Sequence, residues 1–164
     1  MHGKDALKTA LASTQQMLNW YVADLSDADF LVRPVPSANH IAWQMGHLIH
    51  SEGHLLQPQI PDAKYPELPA GFGDQHNRAM SATEPPKGFA TKAIYLDLFG
   101  KTRGYTLALL DRLTDADLDK PTQGQMAQFA PTLGAMFVLV SNHTLMHAGQ
   151  FTVVRRKLGK PIVF

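Results

Sequence analysis

The longest uninterrupted apolar periodicity in this chain carries two histidines inside it. From Leu133, large apolar residues recur at Met136, Phe137 and Val140, then resume at Phe151, Val154 and Leu158. Steps of three and four mark one face of a helix. The same count, continued across the gap, puts His143 and His147 where apolar side chains belong. Residues four apart on a helix lie about one turn from each other, with Cβ atoms roughly 5–6 Å apart. Two rings buried at that spacing need partners, because an unpaired buried polar group costs about 1–3 kcal/mol. A metal ion is one such partner, and hydrogen bonding within the core is the other.

Three more helices are expected upstream. The first runs from about Asp5 to Asp24, with Leu11, Leu18, Tyr21 and Leu25 in its stripe. The second begins near Ser37 to Asn39, residues suited to an N-cap, and ends near Leu56 before Pro58. It carries His40, Trp43, His47, His50 and His54 beside an apolar stripe of Ile41, Met45, Leu48 and Leu55. At 100° per residue, His40, His47 and His54 fall within about 40° of one another. The third helix spans about Thr91 to Leu113, with Ile94, Tyr95 and Phe99 among its inward residues. Gly100 and Gly104 lie inside it, each costing about 1 kcal/mol relative to Ala, and mark either a close backbone approach or a break. The fourth has Pro131 in its first turn and stops at Gly159 and Pro161.

Between the second and third helices, residues 57–90 hold Pro58, Pro61, Pro66, Pro69, Pro85 and Pro86 with Gly71, Gly73 and Gly88. A connection of that length is a lid or a strap across the surface. The turn Leu25-Ser26-Asp27-Ala28-Asp29-Phe30 after the first helix is nearly repeated as Leu113-Thr114-Asp115-Ala116-Asp117-Leu118 after the third. The order helix, turn, loop, histidine-bearing helix therefore occurs twice. The expected fold is all-α: a four-helix bundle with an internal helix-pair duplication and one long crossover between helices 2 and 3. Its 164 residues suit a single domain, 1–164. No stretch alternates with period two, so no strand is expected.

Composition narrows the chemistry. Cysteine is absent, which removes disulfides, thiolate ligands and a cysteine nucleophile together. Any metal is held by nitrogen and oxygen, and any thiol comes from outside. Fifteen basic against fourteen acidic residues leave +1, giving no electrostatic case for nucleic acid or a membrane surface. No apolar run is long enough to span a bilayer. The polar start, Met1-His2-Gly3-Lys4-Asp5, has no signal-peptide core, and a cytoplasmic location is expected. One histidine of the second helix and two of the fourth can meet one ion if those helices pack as neighbours, with axes about 8–10 Å apart. Three nitrogen ligands leave positions open for water or substrate. Imidazole suits zinc, nickel, iron or copper.

Other metal classes are excluded. His-Glu-x-x-His is missing, and with it the zinc-protease signature. A di-iron bundle needs several Glu and Glu-x-x-His pairs, whereas Glu52, Glu67 and Glu84 are the only glutamates and none has a histidine three residues on. Ser51 and Ser141 adjoin the histidine runs without a third member for a catalytic triad. At least two of His40, His50 and His54 are expected to face solvent. His50, one turn from His47, is the nearest candidate for proton transfer.

Trp43-Gln44-Met45-Gly46-His47-Leu48, followed far downstream by His143-Thr144-Leu145-Met146-His147-Ala148-Gly149-Gln150, resembles the DinB/YfiT-like superfamily. The turn at 113–118 and Arg155-Arg156-Lys157-Leu158-Gly159 fit the same pattern, so the resemblance spans about residues 5–160. It implies a four-helix bundle, commonly homodimeric, with a divalent transition metal held by His47, His143 and His147. Zinc or nickel is expected ahead of iron, because the iron-type pattern has Glu where Gly149 stands. Gln150 matches a glutamine that follows the pair in many members, suggesting a pocket role. The activity implied is that of a metal-dependent enzyme on a small molecule, a thiol S-transferase using a low-molecular-weight thiol. The alternative is a non-catalytic metal-binding or stress-response bundle.

Overall fold

The computed structural model of the protein describes residues 2–84 and 86–163. Met1 of the polar start and Pro85 of the crossover lie outside the described residues, as does Phe164. In chain order the helices are α1 (Gly3–Val22), α2 (Asp27–Phe30), α3 (Ile41–Leu56), α4 (Phe72–Gln75), α5 (Lys92–Arg112), α6 (Asp115–Leu118) and α7 (Leu133–Lys157). Short 3-10 turns lie at Gln57–Gln59, Arg78–Met80 and Gly124–Gln128. Among the described residues no strand forms; one isolated bridge joins Pro121 and Thr132. None of the described helices is long and apolar enough to cross a membrane.

The duplicated turns form for the same physical reason. In each, a hydroxyl caps the third amide of a single helical turn and an aspartate reaches back to the cap amide. Asp29 N donates to Ser26 Oγ at 3.2 Å, and Ser26 N donates to Asp29 Oδ2 at 2.8 Å. The Thr114–Asp117 pair repeats both distances. The duplication extends to the helix ends. Lys92 Nζ, in the first turn of α5, donates to the carbonyls of Ala23 and Leu25 beyond the end of α1. Lys4 Nζ, in the first turn of α1, donates to those of Asp111 and Leu113 at the end of α5. A cation against carbonyls left open at a helix end is favourable on both counts. The two lysines thereby fix α1 and α5 antiparallel.

The four long helices close a ring: α1 packs on α7 and α5, and α3 packs on α5 and α7. Two apolar clusters fill it. One gathers Leu18, Val22, Ile41, Met45, Phe99 and Phe151; the other gathers Leu11, Leu56, Leu110, Met136, Phe137 and Val140. Between them each helix contributes buried polar residues, among them Thr14, Glu52, Arg103 and Thr144. The end of α7 is anchored by Arg155, whose Nη1 donates to the Tyr21 carbonyl at 2.7 Å while its guanidinium pairs with Asp24. Gly159 stops α7 in the left-handed region at φ 68°, with Lys160 N reaching back to Arg155 O and Gly159 N to Arg156 O.

Several expectations shift. Pro131 precedes the cap residue Thr132 and lies outside α7, its carbonyl accepting from Thr122 N. Gly100 and Gly104 neither break α5 nor admit a backbone, since a Cβ at either would meet at most the Gln15 amide. Ile94 faces solvent. The crossover is a strap docked on α3, carrying α4 and burying Phe72 and His76.

The second histidine helix starts later than Ser37–Asn39 suggests, because His40 itself is the cap. Its Nδ1 accepts from Trp43 N at 3.1 Å, and the ring is only 1% exposed, edge-on to Phe89. Of the three histidines expected to supply at least two solvent-facing rings, only His54 is exposed; His50 is half-buried and His40 is buried. Its Nε2 makes no well-formed hydrogen bond, the Phe30 backbone giving weak support. Burial, with Arg33 and His76 nearby, lowers its pKa from 6.5 to about 4. Between those values the unfolded chain takes up a proton that the folded chain refuses. The stability His40 contributes is thus present above pH 6.5 and lost as the pH falls towards 4. His40→Asn keeps a cap acceptor and removes this linkage. From pH 7 to pH 5 the variant should lose about 2 kcal/mol less stability than the parent in urea titrations.

Candidate metal centre

Where α3 meets α7, Gln44 and His47 of α3 contact His143 and His147 of α7. His47 and His143 are half-buried and His147 is 4% exposed. Ring centroids lie 5.1 Å apart for His47 and His143, 5.4 Å for His47 and His147, and 4.9 Å for His143 and His147. One nitrogen from each falls within 4.8 Å of the others. The two Nε2 atoms on α7 stand 3.2 Å apart. Two nitrogens bound tetrahedrally at about 2.0–2.1 Å from one ion are separated by roughly 3.3 Å, so this pair has the spacing of adjacent ligands. Among the described residues, these three form the one group of three or more histidine, aspartate or glutamate side chains close enough to share an ion.

Two of the three rings are held from behind. Gln44, 1% exposed, donates through Nε2 to Asn39 O at 2.8 Å, which leaves Oε1 as the acceptor facing His147 Nδ1 at 2.9 Å. His147 therefore carries its proton on Nδ1 and turns the Nε2 lone pair towards His143. A metal-binding imidazole is ordinarily oriented this way by a hydrogen bond on its far nitrogen. His47 stacks on Trp43 with centroids 4.8 Å apart and planes 8° from parallel, and Trp43 Nε1 donates to Asn77 O in the strap.

The strap also packs against the residue before His47, through His76. The His76 ring fills the space a side chain would take at Gly46: a Cβ there would fall within the ring. His76 is fully buried, with Nδ1 2.7 Å from Phe72 O and Nε2 2.8 Å from Tyr95 Oη. Its backbone lies close enough to the His47 ring to give it weak polar support. Glycine is required at position 46 for this approach.

The electrostatics suit cation binding. Burial, then the neighbouring His143 and His47, hold His147 down at about 3. Burial and His47 hold His143 at about 4, and burial lowers His47. All three rings are neutral at pH 7, the form in which imidazole donates a lone pair. Three neutral nitrogen donors, with no carboxylate among them, fit a divalent transition ion.

A sequence pattern defining the DinB superfamily matches residues 10–151. The chain belongs to the DinB superfamily. Its fold is similar to a solved structure described as a conserved protein from Enterococcus faecalis, with a TM-score of 0.71. That likeness covers 98% of this chain and 99% of the other at 17% identity, and so concerns the fold alone. No curated protein matches the chain.

Other sequence candidates in this DinB chain lie apart from the three histidines. Gln150 is exposed and lines a small cavity of about 90 Å³; the glutamine that meets His147 is Gln44. His50 stacks on His54 at 5.8 Å and lines a separate cavity of about 310 Å³ with Tyr65. Gln44 was not singled out from the sequence, although a polar residue within the apolar run Ile41–Met45–Leu48 is a signal that could have found it. His76 gave no such signal, since a lone histidine in a Pro/Gly-rich connection carries no periodicity.

Proposed function

We propose that the protein is a metal-dependent enzyme acting on a small molecule, a thiol S-transferase, with His47, His143 and His147 as the metal ligands. The observation that carries this reading is the convergence of three neutral imidazoles, with no fourth histidine, aspartate or glutamate joining the group among the described residues. A closed structural centre needs four protein ligands, whereas three leave room for substrate. A bound divalent ion, zinc or nickel ahead of iron, would supply Lewis acidity, making a thiol or water nucleophilic near neutral pH.

The chain's own residues prepare that site. Burial keeps the imidazoles unprotonated, Gln44 fixes the His147 tautomer, and Trp43 shields one face of His47 from water. Since the chain has no cysteine, the transferred sulfur belongs to a cosubstrate. The thiol's sulfur forms the new S–C bond, and the acceptor's leaving group departs with the electrons of the broken bond. The thiol proton passes to solvent.

Untagged protein, dialysed against zinc or cobalt(II) and then metal-free buffer, should retain one equivalent by elemental analysis. No uptake would sink the assignment. Gln44→Leu, which removes the acceptor behind His147, should weaken metal affinity about 10–100-fold in chelator competition. Unchanged affinity would show that Gln44 does not orient a ligand.

A further inference from the structure

We propose that the cleft beside His143 is a subsite for an uncharged alkyl or aryl group of the substrate, a reading that rests on the metal-site assignment above. The cleft has a volume of about 460 Å³, within the range of small-molecule sites. Leu55 of α3, Met126 of the turn before α7, and Leu139 and Met146 of α7 form its apolar walls. Asn142 and His143 complete it. His143 belongs both to this lining and to the histidine cluster. A group seated in the cleft therefore abuts one of the proposed metal ligands, His143.

What the lining lacks decides the ligand class. It contains no lysine, arginine or acidic residue. A carboxylate or phosphate placed here would lose water and meet no cation, which is strongly unfavourable. The body of a thiol cosubstrate carrying carboxylates accordingly lies outside, and the cleft takes the apolar reaction partner. Leu55, Leu139 and two methionines reward burial of carbon, and methionine's flexible thioether fits groups of differing shape. Asn142 supplies one neutral hydrogen-bonding group. The cavity at His50 and His54 does not compete for this role, since none of the three clustered histidines lines it.

The test uses two ligand series of equal chain lengths, measured by titration calorimetry. n-Alkyl hydroxamates are bound to cobalt(II)-loaded protein, and n-alkanols to metal-free protein. Affinity should rise about two- to fourfold per methylene in both series until the cleft is filled. Met146→Lys, at a side chain 54% exposed and so tolerant of substitution, should flatten both slopes. Leu145→Lys, at an exposed neighbour outside the cleft, should leave them. A slope with alkanols and no hydroxamate binding would overturn the metal assignment while preserving the apolar cleft. Flat series in both arms, or equal losses in the two lysine variants, would overturn the subsite. Binding that disappears as the protein is concentrated would mean a second copy covers the cleft, and would overturn it too.

Discussion

His147→Ala should abolish stoichiometric metal binding while leaving a folded protein. Of the three histidines this is the most buried and the one whose far nitrogen is tied, by the 2.9 Å contact to Gln44. Its Nε2 lies 3.2 Å from that of His143, so its loss removes one member of the pair with adjacent-ligand spacing. The remaining donors, His47 and His143, come from different helices with ring centroids 5.1 Å apart. Two neutral nitrogens without a third protein donor leave an ion mostly to water. Metal binding to the folded protein also stabilises it by mass action, about 2.7 kcal/mol at a free metal concentration one hundred times the Kd. The parent should therefore show a metal-dependent rise in unfolding temperature that His147→Ala lacks. Full retention of one equivalent by the variant would sink the three-histidine site.

The helical architecture was legible because apolar residues at steps of three and four report burial directly. The α7 stripe of Met136, Phe137, Val140, Phe151 and Val154 is buried as its spacing requires, and His147 joins it. The Asp-Ala-Asp turns were legible through capping chemistry, which is local in sequence. What local pattern cannot carry is partner choice across helices. His40, on the face that looked solvent-directed, is buried because the strap brings Phe89 over it. The His76–Gly46 contact joins residues thirty positions apart in sequence and follows from the path of the strap. Glu52 was noticed only as one of too few glutamates for a di-iron site, and Arg103 drew no attention, because charged side chains on helices ordinarily face water.

Those two residues carry the second large effect: Arg103→Leu should destabilise the protein by about 3–5 kcal/mol, the usual cost of leaving one partner of a buried ion pair alone. Arg103 is fully buried and Glu52 is 3% exposed. The guanidinium donates to Glu52 through Nε at 2.9 Å and Nη2 at 2.8 Å. Its remaining donors reach Leu11 O at 2.6 Å on α1 and Thr144 Oγ1 at 2.9 Å on α7, and Phe99 lies beneath it at 5.1 Å. Thr106 Oγ1 donates to Glu52 Oε1 at 2.6 Å, so one charged pair touches all four long helices. Leucine would strand the Glu52 carboxylate in a layer closed by apolar clusters on both sides. Removing both charges, as Glu52→Leu with Arg103→Leu, should recover most of the loss, because desolvation of the pair is relieved along with its attraction. Urea titration of the parent, both single variants and the double variant closes the cycle. A single-variant loss below about 1 kcal/mol would mean that the carboxylate finds water or another donor. The outcome also bears on the metal centre. Thr144 stands between His143 and His147 on α7, and Glu52 lies five residues beyond His47 on α3. The ion pair thus helps set α3 against α7 at the height of the three histidines. Metal affinity should fall in Arg103→Leu and return in the double variant wherever repacking restores that alignment.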